Sequence, residues 1–110
     1  MSAAEKEEAL QEQERQRAWA KLGEDFAGRR VLWDILEGCG LLTGSFAVGA
    51  PDLTAFNEGR RDIGLRIHRH ISPSAFALMQ TEAEARAARI ERATATDNAV
   101  DDGWTEDDDG

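Results

Sequence analysis

Residues 31–46 read VLWDILEGCGLLTGSF, and after a short break residues 52–71 read DLTAFNEGRRDIGLRIHRHI. The first half predicts a short helix around residues 30–37, with Leu32, Ile35 and Leu36 as its buried stripe and Val31 beside them. Gly38 and Gly40 bracket Cys39 and can supply left-handed or tightly packed backbone at the helix end. Leu41 and Leu42 carry the apolar surface on into Thr43-Gly44-Ser45-Phe46, and the Gly44, Gly49 and Pro51 spacing reads as a loop. Asp52 or Thr54 can cap the next helix. Along that helix Phe56, Ile63, Ile67 and Ile71 recur at spacings of seven, four and four, which places them on one side. Gly59 and Gly64 each cost a helix about 1 kcal/mol relative to Ala, so close backbone contact at one or both, or a bend, is expected.

Outward from this centre, residues 2–22 are rich in Ala, Glu, Gln, Arg and Lys, all good helix formers. Their apolar content comes late: Trp19, Leu22 and Phe26 share a helix face, while the first two turns have almost nothing to bury. On the other side Ser72-Pro73 signals a restart, Ser as N-cap and Pro at the first helical position. The final helix carries Phe76, Met79, Ala83, Ala87 and Ile90 at three- and four-residue spacings. The pattern lapses after Ala95. The expected fold is all-α: a small helical bundle or hairpin with an extended N-terminal helix and a disordered acidic C-terminal tail. Its parts are residues 1–24, 25–93 and 94–110. The core is expected from Leu32, Leu36, Cys39, Phe56, Ile63, Ile67, Phe76 and Met79. Helices two and three are expected to pack through Leu32, Leu36, Phe56, Ile63 and Ile67.

The net charge of -9 is unevenly placed. Residues 97–110 hold seven Asp or Glu and no Lys or Arg, which leaves the other 96 residues at -2. The acidity thus belongs to the tail, and the body is close to neutral. An acidic total removes the simplest argument for nucleic-acid binding. The single cysteine allows no intrachain disulfide. With no apolar run near the roughly 20 residues that span a bilayer, a soluble, cytosol-like setting is expected.

No catalytic constellation stands out. His68 and His70 are two apart on a helix and face different directions, a poor metal pair. Cys39 lies between glycines in an apolar context and reads as a small buried thiol. The paired carboxylates are in the tail, where nothing fixes their geometry. The glycines of GCGLLTG match neither a dinucleotide fingerprint nor a phosphate-cradling loop. The chain is expected to be no enzyme and to need no cofactor or metal. Binding is the better reading. Trp33 can close the core edge or meet a partner. Arg60, Arg61, Arg66 and Arg69 supply positive charge, spread around one helix and countered by Glu58 and Asp62. Trp104, with Asp107 and Asp108, can dock an aromatic anchor into a basic-rimmed pocket. A solvated face and a solubilising tail are the plainer readings of the same residues.

The residues already quoted resemble the Bbp19-like family of small tailed-bacteriophage proteins. The resemblance rests on Gly28-Arg29-Arg30-Val31-Leu32 with Ile35-Leu36, on Cys39-Gly40 and Ser45-Phe46, and above all on residues 54–65, TAFNEGRRDIGL. It spans residues 20–72. It implies a small structural or assembly protein of the virion, present in the host cytoplasm during assembly, with a place near the portal or inside the head as the expectation. It carries over no catalytic residue. The expected partner is a protein component of the particle, bound in multiple copies, with nucleic acid less favoured. The rival functions are a DNA-packaging accessory that binds nucleic acid and a transient scaffolding or chaperone-like assembly factor.

Overall fold

The computed structural model describes residues 1–42 and 49–109, with side chains described through residue 99. Among the described residues there are four helices and no strand: α1 (Ala3–Glu24), α2 (Phe26–Gly38), α3 (Pro51–His68) and α4 (Pro73–Asp109). The expected Thr43-Gly44-Ser45-Phe46 loop lies outside the described residues. The chain divides into two compact units, Met1–Met79 and Gln80–Gly110.

Within the first unit, α1 buries no residue. Toward its N-terminal end it is held by local contacts. The Ser2 hydroxyl accepts from the Glu5 N–H at 3.1 Å, and Arg15 pairs with Glu12 at 3.0 Å one turn away. Such exposed pairs contribute only a few tenths of a kcal/mol each. Near its C-terminal end Trp19 and Gly23 are half-buried.

The expected continuous face of Trp19, Leu22 and Phe26 is broken at Asp25. This residue is extended, with φ -94° and ψ 130°, and it ends α1 while starting α2. Its N–H donates to the Leu22 carbonyl, and its carboxylate accepts the Gly28 N–H at 2.8 Å. A Cβ at position 28 would stand 2.6 Å from the Leu22 carbonyl oxygen, so the corner closes only over glycine. Arg29 then donates to the Gly23 carbonyl at 3.1 Å, satisfying an acceptor at the end of α1. Phe26 consequently opens α2 and is 62% exposed.

Helix α2 buries Gly28, Leu32, Trp33 and Leu36, a stripe repeating every four residues with Trp33 beside it. It ends in a Schellman motif. Gly40, at φ +70°, donates to the Glu37 carbonyl at 3.0 Å, and the Leu41 N–H reaches the Leu36 carbonyl at 3.2 Å.

Helix α3 starts differently from expectation. Ala50 is the N-cap and makes no side-chain bond, while Pro51 begins the helix. Proline needs no partner for an N–H there and presets φ, so neither Asp52 nor Thr54 serves as cap. Gly64 lies where α3 comes close to the end of α2: a Cβ there would lie 2.9 Å from the Cys39 Cβ. At Gly59 the same atom would meet nothing within 4 Å, so the close contact exists at one glycine and not the other.

A tight turn at residues 69–72 leads into α4, where the Ser72 hydroxyl accepts the Ala75 N–H at 3.1 Å. The buried hydrophobic residues are Leu32, Trp33, Leu36, Ile71, Ala75 and Met79. Cys39, Ile67 and Phe76 are half-buried. Phe56 and Ile63 depart from expectation: they are 62% and 54% exposed. The reason is geometric. α3 meets α2 along the Gly64 side, and the Phe56–Ile63 stripe faces a neighbouring direction that this contact does not cover.

The second unit is the remainder of α4, helical through Asp109. The helical backbone therefore continues beyond Ala95, where the apolar pattern lapses. Residues 91–99 are exposed.

Candidate partner-binding surface

Trp33 is only 8% exposed, and its ring lies 6.1 Å from that of Phe76 at a 38° tilt. It belongs to the core and offers no surface to a partner. Phe76 in turn meets His68 edge-on at 4.7 Å. His70 stacks flat on Trp19, 4.8 Å between centroids and 9° between planes. The two histidines are thus separated by their ring partners and do not converge. Among the described residues no group of three or more His, Cys, Asp or Glu is placed to hold a metal ion.

The four arginines of α3 and its end do not form one face. At about 100° per residue they point in different directions. Arg60 serves the fold: it donates to the Asn57 side chain at 2.7 Å and to the Gly38 carbonyl at 3.4 Å, and it lies 5.2 Å from the Phe56 ring centroid. A cation at that carbonyl complements the C-terminal end of α2. Arg66 pairs with Asp62 at 3.0 Å, both well exposed, so the pair contributes little to stability. Arg61 shares a shallow depression of about 310 Å³ with Glu58, Asp62 and Leu65, a surface of mixed sign. Arg69 is the exposed C-cap of α3. Trp104, Asp107 and Asp108 have side chains outside the described set.

A larger groove, about 560 Å³, runs between the end of α1 and the start of α4, lined in part by Trp19, Arg29, His70, Ser72 and Ser74. Its polar groups are engaged in structure. Arg29 holds the Gly23 carbonyl, Ser72 caps α4, and the two serine hydroxyls lie 3.3 Å apart.

What remains is an apolar stripe on α3. Leu53, Phe56 and Ile63 are each at least half exposed, and Gly59 lies among them with open space above it. Sequence reasoning assigned Phe56 and Ile63 to the core and missed Leu53. The available signal was Gly59, a costly residue in mid-helix.

Comparison with known families matches residues 18–81 to the Bbp19-like phage protein family. The match covers more than half of the 110 residues. The chain belongs to this family. The match is wider at both ends than the resemblance over residues 20–72, adding residues 18–19 of α1 and residues 73–81 of α4. The added residues include Trp19, Ala75 and Met79, so the matched segment takes in the buried residues of the first unit. Neither a curated protein nor a solved structure matches the chain. No helix among the described residues is long and apolar enough to cross a membrane.

Proposed function

We propose that this phage protein is a non-catalytic structural component of the virion, ordered and stabilised by a larger particle protein. Family membership across the packed residues carries this reading. The physical support is the imbalance between a small core and an uncovered surface. Among the described residues six hydrophobic side chains are buried, whereas Leu22, Phe26, Val31, Ile35, Leu42, Leu53, Phe56 and Ile63 are among the large ones left exposed. A domain this small gains much of its stability from partners, because binding to the folded state alone shifts the folding equilibrium.

A site near the portal or inside the head, with several copies per particle, is the placement we favour. The acidic segment 97–110, with Trp104 as anchor, would dock on a basic surface of the neighbour. In isolation that segment would fray, since its composition is strongly acidic and poor in apolar residues. The nucleic-acid reading has less support, because Arg60 and Arg66 are engaged within the chain and the four arginines share no face. Mass spectrometry of purified mature virions tests the proposal. The chain should be present at reproducible stoichiometry. Its presence only in immature particles would replace the virion role with a transient scaffolding one, and absence from both would end the structural reading.

A further inference from the structure

We propose that α3 is a self-association helix, pairing antiparallel with α3 of a second copy of this chain through Leu53, Phe56 and Ile63. Three observations on one helix lead there. Phe56 and Ile63 lie seven residues apart on the same side and are 62% and 54% exposed, and Leu53, one turn before Phe56, is 50% exposed. Single exposed apolar residues are ordinary, but a contiguous stripe on one helix marks an interaction surface. Gly59 lies between them along the helix, where an added Cβ would meet nothing within 4 Å among the described residues. Among the described residues nothing offsets its helix-propensity cost, whereas a second helix could approach its backbone closely.

The occupant is identified by self-complementarity. A two-fold interface uses one patch on both copies, so each contact is made twice. In an antiparallel register Phe56 of one copy faces Ile63 of the other, and Ile63 faces Phe56. The crossing then falls beside Gly59, where the helices can come nearest. The same register brings Asp52 of one copy alongside Arg66 of the other, on the rim of the stripe and of opposite charge. Both residues are exposed and on the side of α3 turned away from its Gly64 contact with α2. Arg66 needs only to exchange its exposed partner Asp62 to reach that position. Arg60, on the other border of the stripe, reaches the Gly38 carbonyl with its guanidinium 5.2 Å from the Phe56 ring centroid, and Phe56 still remains exposed beside it. An acidic or basic stranger would match this arrangement on one side only. A second copy matches it on both.

Sedimentation equilibrium of the full chain over a concentration series tests the pairing. A monomer–dimer equilibrium is expected. Phe56→Asp should weaken it by about tenfold or more, as removal of a central apolar anchor does. It should also leave the helical circular dichroism unchanged, because the side chain is exposed in the monomer. Asp52→Arg and Arg66→Asp should each weaken association, and the two together should restore it. A chain that stays monomeric throughout overturns the proposal and leaves the stripe to a different particle protein. So does a dimer that persists in folded Phe56→Asp, or a double reversal that fails to rescue. These outcomes are separate from the virion assignment, which depends on particle composition and survives a monomeric result.

Discussion

Three glycines of this chain behave in three different ways, and the difference lies in what each would touch. At Gly28 a methyl group would press on the Leu22 backbone carbonyl at 2.6 Å, and backbone at a helix corner cannot retreat. Gly28→Ala is expected to cost about 2–3 kcal/mol, seen as a lower urea midpoint. At Gly64 the obstacle is the Cys39 Cβ at 2.9 Å, so α3 would have to lift from α2. Gly64→Ala should cost about 1–3 kcal/mol in the same measurement. At Gly59 nothing stands in the way, and Gly59→Ala should stabilise the monomer by about 0.5–1 kcal/mol. Equal effects at all three positions would contradict the packing described. The sequence marked Gly59 and Gly64 alike as costly. Which of them met a neighbour depended on the azimuth at which α3 approaches α2, a tertiary quantity that helix propensity does not carry.

At the scale of elements, legibility follows how local each determinant is. The Ser72-Pro73 start of α4 and the left-handed Gly40 after α2 were readable because each is set by residues within one turn. Ser72→Ala should cost about 1 kcal/mol by loss of the Ala75 N–H partner, readable by thermal denaturation. The Asp25 corner was missed because apolar spacing continues across it, from Trp19 and Leu22 to Phe26. The interruption needs a capping carboxylate and a glycine three residues on, a pair that periodicity alone does not register. Asp25→Ala should remove the cap on Gly28 and cost about 1–2 kcal/mol in denaturant titration. For α3 the spacing revealed which residues share a face. It did not reveal whether a 110-residue chain has another element to lay over them, and so the exposed Phe56 and Ile63 read as core.

For the whole molecule, fold class and family were both legible, the family from residues 54–65 with the motif TAFNEGRRDIGL. The arginine surface was undecided in sequence because charge type says nothing about engagement. Only the structure shows Arg60 holding a carbonyl of α2. Charge and packing are also segregated along the chain. Removing residues 97–110 should change net charge from -9 to -2 and leave the thermal midpoint nearly unchanged, since the preceding residues 91–96 are exposed. A large loss of stability on that truncation would show that the acidic segment contributes to the fold.

The lone thiol of Cys39 lies half-buried where Gly64 lets α3 close upon α2. With no second cysteine to compete, the rate at which a maleimide captures it becomes a stopwatch for the parting of those two helices, in free solution and inside an assembled particle alike.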